Sequence, residues 1–298
     1  MFKNGSESAS EGESPSISWQ IERIYHDRSE QVDDLVVMEE PLEIVVNGER
    51  LAVLMRLPGN EKELAVGFCM SEGYLRGPKD ILLIHHCGQG LPAPGEGEGE
   101  FGSRNRVELN VVEGGFLPRG EQDVVRLIRS GCGAADVSAL SENLPFLPQG
   151  FSAEAALILK LGKSMRSLQS VYHQAGGTHA AVIFDATGHP IHVAEDIGRH
   201  NAVDKVTGYC LLRRIPLQDK ILVASGRASY DMAVKAIRLG IPLIATVSAP
   251  TSLAVNLAHD RGLTLIGYLR GGRMNVYTHP ERLIKNELGK ESAEARSR

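Results

Sequence analysis

Residues 220–268 read KILVASGRASYDMAVKAIRLGIPLIATVSAPTSLAVNLAHDRGLTLIGY. Three short apolar, β-branched-rich runs, Lys220–Ala224, Pro242–Val247 and Leu263–Tyr268, alternate with two stretches of helical periodicity, Ala228–Leu239 and Pro250–Arg261. Pro250 suits a first helical turn. Strands that alternate with helices imply a largely parallel sheet with helices on its faces. Upstream the rhythm continues. Thr178–Phe184 and Pro190–Val193 read as strands joined by Ala186-Thr187-Gly188, and Gly198–Leu212 reads as a helix.

The first half reads differently. Asp34–Val46 is strand-like with an interruption at Pro41, and Asn47-Gly48 is a strong hairpin signal before the partner strand Leu51–Leu57. Asn60 with Glu63 three residues on resembles a capping box, which predicts a helix to about Tyr74 with Gly77-Pro78 as its stop. Asp80–Cys87 and Asn105–Val112 are expected strands. Gly88–Arg104 between them, rich in Gly, Pro and Glu, is expected to be a mobile surface loop. Glu121–Arg129 suits a short helix that runs into Ser130-Gly131-Cys132-Gly133, and Ser152–Ser170 has helical periodicity and is expected to link the halves.

The 298 residues suit one large or two medium domains. The division expected is a disordered tail 1–17, an α+β part 18–172, an α/β domain 173–285 and a charged tail 286–298. No apolar run approaches the ~18 residues that span a bilayer, and Met1–Ser16 lacks the apolar core of a signal peptide. Four cysteines without paired spacing argue against a disulfide framework and for a cytoplasmic location. The net charge of −5 argues against general nucleic-acid binding. Residues 1–175 carry −10 and residues 176–298 carry +5, so anions are drawn to the second half.

Three strand-to-helix turns carry candidate chemistry: Glu195–Asn201, Ser225–Ser229 and Ser248–Ser252. In an open α/β sheet such turns collect where ligands bind. Free amides, hydroxyls, Arg199 and Arg227 suit phosphate there, and ordinary helix capping accounts for the same hydroxyls. No G-x-G-x-x-G or P-loop follows a suitable strand, which argues against a Rossmann enzyme or a P-loop NTPase. His179, Glu195, Asp196, His200 and Asp204 are close in sequence, but no metal site is assigned. His179 is followed by two alanines and no C-x-x-C exists, which excludes zinc deaminase chemistry. Cys132, between two glycines and three residues after Arg129, is the reactive candidate. Cys69, Cys87 and Cys210 read as small apolar residues.

With these residues the chain resembles the formate dehydrogenase accessory sulfurtransferases, from about Ile24 to Leu283. The segments that carry it are Glu39–Ile44, Met55–Gly59, Gly67-Phe68 with Ser71–Gly73, Gly131–Gly133, Gly176–His179, Glu195–Lys205, Ser225–Ser229 and Ser248–Ser252. The resemblance implies a cytidine-deaminase-like three-layer C-terminal domain with a mostly parallel sheet, without zinc chemistry. It implies a homodimer that takes sulfur from a cysteine desulfurase as a persulfide on Cys132. The acceptor would be the molybdenum (or tungsten) bis(molybdopterin guanine dinucleotide) cofactor of formate dehydrogenase. Cofactor contacts would fall on Tyr268, Leu269, Arg270, Gly271, Gly272 and Arg273, joined by Arg199, Ser225 and Arg227, with GDP as a binding analogue. The family commonly has C-x-x-C at the reactive loop. Ala135 stands at the second position here, which puts any intraloop disulfide in doubt. The rival readings are a non-enzymatic cofactor chaperone and a guanine-nucleotide-binding regulator.

Overall fold

The computed structural model describes residues 15–87, 105–117 and 143–285, with the side chain of Cys87 left out. The expected helix Glu121–Arg129, the candidate Cys132, Ala135 and the Gly/Glu-rich loop lie outside the described residues.

Two strands, β1 (Ser16–Ile24) and β2 (Ser29–Val37), form an antiparallel ribbon that the sequence reading did not foresee. The next pair, β3 (Glu40–Val46) and β4 (Glu49–Arg56), turns at Asn47-Gly48, both at positive φ, as a two-residue hairpin of this type requires. Helix α1 (Glu61–Ser71) follows. Asn60 is its N-cap residue but sits in the left-handed region with no side-chain cap. The capping box does not form, because Glu63 turns to Arg213 (3.3 Å) and Glu61 accepts the Gly59 N–H instead. The helix also stops earlier than expected. Gly73 at φ 81° reverses the chain, and Tyr74 N–H returns to the Cys69 carbonyl. Strands β5 (Ile81–Cys87) and β6 (Arg106–Val111) complete a four-stranded sheet of order β4-β3-β6-β5.

After the short strand β7 (Ala153–Glu154), the expected single helix Ser152–Ser170 is two, α2 (Ala155–Ser167) and α3 (Ser170–Ala175). Then come β8 (His179–Phe184), β9 (Pro190–Asp196), α4 (Arg199–Leu212), β10 (Ile221–Ala224), α5 (Tyr230–Arg238), β11 (Leu243–Thr246), α6 (Ser252–Arg261), β12 (Thr264–Arg270) and β13 (Arg273–Val276). A last strand, β14 (Leu283–Ile284), pairs with β7. The six-stranded sheet has the order β13-β12-β11-β10-β8-β9. Only β10-β11 and β11-β12 pair in parallel, so the sheet is mixed rather than mostly parallel. Two of the three antiparallel pairs, β8-β9 and β12-β13, are hairpins, and short turns can join only antiparallel strands; the third is β8 with β10.

Alternation along the strands divides the core. Val182, Phe184, Val223, Ala245 and Ile266 face Ile158, Leu161 and Met165 of α2. Ala181, Ile183, Leu222, Ile244 and Leu265 face α4, α5 and α6. Three layers result, with α2 covering one face although it precedes residue 172 in sequence. The second core continues through α1 to β3 and β6, so both sheets share it. The crossing of α1 and α4 rests on two glycines. A Cβ at Gly67 would lie 1.9 Å from the Asp204 carbonyl oxygen, and one at Gly208 would lie 1.8 Å from that of Glu63.

Candidate functional site

Because β10, β11 and β12 run parallel and β9 runs the same way, their C-terminal ends share one edge. The three turns of interest meet there, as the sequence predicts, and backbone bonds tie the second and third to each other and to neighbouring strands. Ser225 N–H donates to the Ala180 carbonyl, Thr251 N–H to Ala228 and Tyr268 N–H to Ser248, at 2.9–3.1 Å. The N-termini of α4, α5 and α6 open onto this edge, and of their N-cap residues only Thr251 caps with its side chain, accepting from Ala254 N–H. Ser229, at the start of α5, turns its hydroxyl to His200 Nε2 (3.5 Å). Capping therefore accounts for one turn of the three.

Arg199 packs under the Ser225–Ser229 turn, where a Cβ on Gly226 would lie 2.8 Å from its Cδ. Arg227 is exposed beside it. Ser225 is less open than expected. Its Oγ accepts the Ala180 N–H at 3.0 Å and meets His179 Nδ1 at 3.2 Å, so it stitches β8 to β10. Burial, and then the Arg199 charge, hold the His179 pKa below the ordinary histidine value.

The stretch Tyr268–Arg273 is the β12-β13 hairpin. Gly271 and Gly272 both have positive φ, and Arg270 stands opposite Arg273, both exposed. Like charges facing each other across a ladder oppose folding. Tyr268 holds φ 53° at the bulge before them, a costly conformation for an aromatic residue. The Arg270 guanidinium lies 5.6 Å from the Tyr268 ring centre. Leu269 differs from its neighbours: it is buried against α2, so its side chain anchors the hairpin.

The acidic residues of the Glu195–Lys205 string do not converge on a metal. Glu195 accepts the Val171 and Tyr172 N–H groups and the Thr178 hydroxyl, which fixes the start of α3. Asp196 receives Lys205 Nζ (2.8 Å), Leu57 N–H and Gly198 N–H. Asp204 is paired with Lys235. Among the described residues, no group of three or more His, Cys, Asp or Glu is arranged to hold a metal. Sequence reading missed Lys205, Lys235 and Arg56, all almost fully buried cations. For Lys205 the signal available was a charge in a helix run otherwise occupied by Ala202, Val203 and Val206. Cys69 and Cys210 are buried as expected; burial raises both thiols, that of Cys210 to about 11.

The described residues define a mixed α/β protein whose helix N-termini and several arginines gather at one sheet edge. The profile of the FdhD/NarQ family matches residues 37–284, and the chain belongs to that family. It is 40% identical over 272 residues to the sulfur carrier protein FdhD of Mycobacterium tuberculosis, covering 88% of this chain and 97% of that one. The Sulfolobus acidocaldarius sulfur carrier protein FdhD is 38% identical over 252 residues, covering 84% and 92%. A crystal structure from Desulfotalea psychrophila, assigned as a formate dehydrogenase accessory protein, superposes with a TM-score of 0.70 at 26% identity, covering 91% of this chain and all of that one. Among the described residues no helix is long and apolar enough to cross a membrane.

Proposed function

We propose that this chain is a sulfur carrier for formate dehydrogenase, working in the cytoplasm as a homodimer. The Cys132 thiolate attacks the outer sulfur of a cysteine desulfurase persulfide. One S–S bond forms as the donor's breaks, and the donor cysteine leaves as thiolate. The loaded sulfur is then destined for the molybdenum or tungsten bis(molybdopterin guanine dinucleotide) cofactor, bound as a substrate. Its phosphates would lie on the helix N-termini with Arg199, Arg227, Arg270 and Arg273. In this reading the three-layer part is a cytidine-deaminase-like scaffold whose strand ends serve a nucleotide.

The observation that carries the reading is the facing pair Arg270 and Arg273, in a chain whose relatives are named sulfur carriers. Two exposed arginines held in register by a glycine turn oppose folding alone and favour an anion between them. Cys69 and Cys210 are buried, and the glycine-flanked Cys132 is the residue that the family resemblance places as the carrier. The test is intact-mass analysis after incubation with cysteine desulfurase and cysteine. One added sulfur atom is expected, mapped to Cys132 and absent in Cys132→Ala. Absence of that sulfur, with GDP binding retained, would instead favour a cofactor chaperone.

A further inference from the structure

Away from the arginine edge, a groove of about 930 Å³ opens between the four-stranded sheet and the far ends of α4 and α5. Its floor is apolar, with Met70, Ile84, Leu212, Ile215 and Leu239. Among the described residues, four cations line it, Lys62, Lys79, Arg214 and Arg238, and no aspartate or glutamate does. Arg238 is engaged with the Ser71 carbonyl at 2.6 Å, while Lys62, Lys79 and Arg214 are exposed on the rim. Leu82 and Leu83, 68% and 57% exposed, project from β5, the edge strand of its sheet among the described residues. An edge strand with exposed leucines is a ready surface for another chain. A rim of one sign selects an acidic partner.

Two placements bear on the partner. The groove wall Pro78-Lys79 continues from the segment to which the chain is bonded just before it leaves the described structure. Arg76 N–H donates to Gly115, Leu117 N–H to Tyr74 and Val112 N–H to Asp80. Cys132 follows Leu117 by fifteen residues in sequence. The second placement is the length of α4. Arg199 begins this helix at the arginine edge, and Leu211 and Leu212 end it in the groove. Its 14 residues separate the two by about 21 Å. A protein seated in the groove therefore leaves the edge open to the cofactor.

We infer that the groove docks the protein that donates sulfur to Cys132, by gripping an acidic, leucine-bearing segment of that donor. This rests on the sulfur-carrier reading. The test compares two sulfur sources on the full chain, purified cysteine desulfurase with cysteine and inorganic polysulfide, each read as the rate of sulfur addition to Cys132 by intact mass. The variants are Lys79→Glu with Arg214→Glu, and separately Leu82→Asp, all at exposed positions, with unchanged GDP affinity as the control for folding. Loading from the desulfurase should fall at least tenfold and loading from polysulfide should not change. In the unaltered chain, desulfurase loading should slow as salt rises. Desulfurase loading at the unaltered rate in all variants overturns the groove alone. An equal loss with both sources also overturns it, since the groove would then act on the cysteine itself. A photo-crosslinker at position 82 that captures only a second copy of this chain, with the desulfurase present, overturns it in favour of self-association. An unaltered chain that takes sulfur from polysulfide but never from the desulfurase overturns the parent reading, and the groove's role falls with it.

Discussion

Lys235 Nζ lies 2.9 Å from each carboxylate oxygen of Asp204, with both side chains almost wholly buried. The Ser71 hydroxyl (2.7 Å) and Glu72 (2.8 Å) complete the shell of the ammonium. The pair joins α4 to α5, and Ser71 ties both to the end of α1. Lys205 and Asp196 do the same between α4 and the loop after β4, since Lys205 also donates to the Leu57 carbonyl. Much of the Glu195–Lys205 string is therefore a clamp that fixes the helix starting at Arg199.

Burial works against the Lys235 charge, but Asp204 and Glu72 outweigh it and raise its pKa, so it is an ammonium at neutral pH. Removing one partner of a buried pair costs about 3–5 kcal/mol. The two single variants should differ. Lys235→Met strands Asp204 with a hydroxyl alone, whereas Asp204→Asn leaves Lys235 facing Glu72. Urea unfolding should show the larger loss in Lys235→Met. Equal stability of both variants and the unaltered chain would sink the clamp.

Gly208→Ala should destabilise the fold by about 3 kcal/mol or more, or abolish soluble expression, and Gly67→Ala should do likewise. Alanine gains about 1 kcal/mol over glycine in a helix interior. That gain loses to a Cβ placed 1.8 Å from a backbone oxygen, because only separation of α1 from α4 relieves the clash. Thermal melting of either variant decides it, and a melting temperature at or above that of the unaltered chain would contradict the crossing.

How far the sequence carried can be seen in particular elements. The strand–helix alternation after residue 178 placed every described strand and α-helix there except β13 and β14, because buried strands of β-branched residues and short amphipathic helices are local signals. The antiparallel edges were not legible, since periodicity does not reveal direction. Of the ribbon β1-β2 only Asp34–Val37 was foreseen as strand, because its faces are largely exposed and mix charge with apolar residues. At the site, the gathering of the three turns followed from topology. The duties of Glu195, Asp196 and Asp204 did not, because their partners lie in distant segments such as Leu57 and Lys235.

His192 supplies a pH test. It stacks on Tyr209 with ring centres 3.7 Å apart, and the Arg213 guanidinium lies 3.7 Å from the same ring. Burial, with help from Arg213, lowers its pKa to about 4. The unfolded chain binds that proton at a higher pH, near 6.5. The neutral ring's contribution is thus complete above about pH 6.5 and is lost as pH falls from there through about 4. With allowance for partial solvent access, about 1–2 kcal/mol is at stake. His192→Gln should flatten stability across that window, measured by urea unfolding at several pH values. An unchanged slope would show that the ring titrates normally.

Arg270→Ala and Arg227→Ala should each weaken GDP binding by about 1.5–3 kcal/mol, the range for a charge-assisted contact. Arg270→Ala should also leave the fold as stable as before, or slightly more so, since it removes the charge facing Arg273. Weaker binding without lost stability is what separates a ligand contact from a structural one. Calorimetry and melting on the same samples read both, and unchanged affinity in both variants would refute the edge as the nucleotide site.

Sulfur loading and nucleotide binding should separate. The arginine edge is held by backbone hydrogen bonds among Ala180, Ser225, Ala228, Ser248, Thr251 and Tyr268, all on or beside strands of one sheet. A site on such a frame keeps its geometry when a residue outside it changes. Cys132 belongs to the first half of the chain and supplies none of these bonds. Cys132→Ala should therefore hold GDP affinity within about 0.5 kcal/mol, the usual scatter for a change remote from the contacts. The same variant should fail to restore formate dehydrogenase activity in cells that lack their own accessory protein. Full restoration would remove sulfur transfer by Cys132 from the function and favour a chaperone. Loss of both properties in a folded variant would place Cys132 in the nucleotide site and join the two activities in one place.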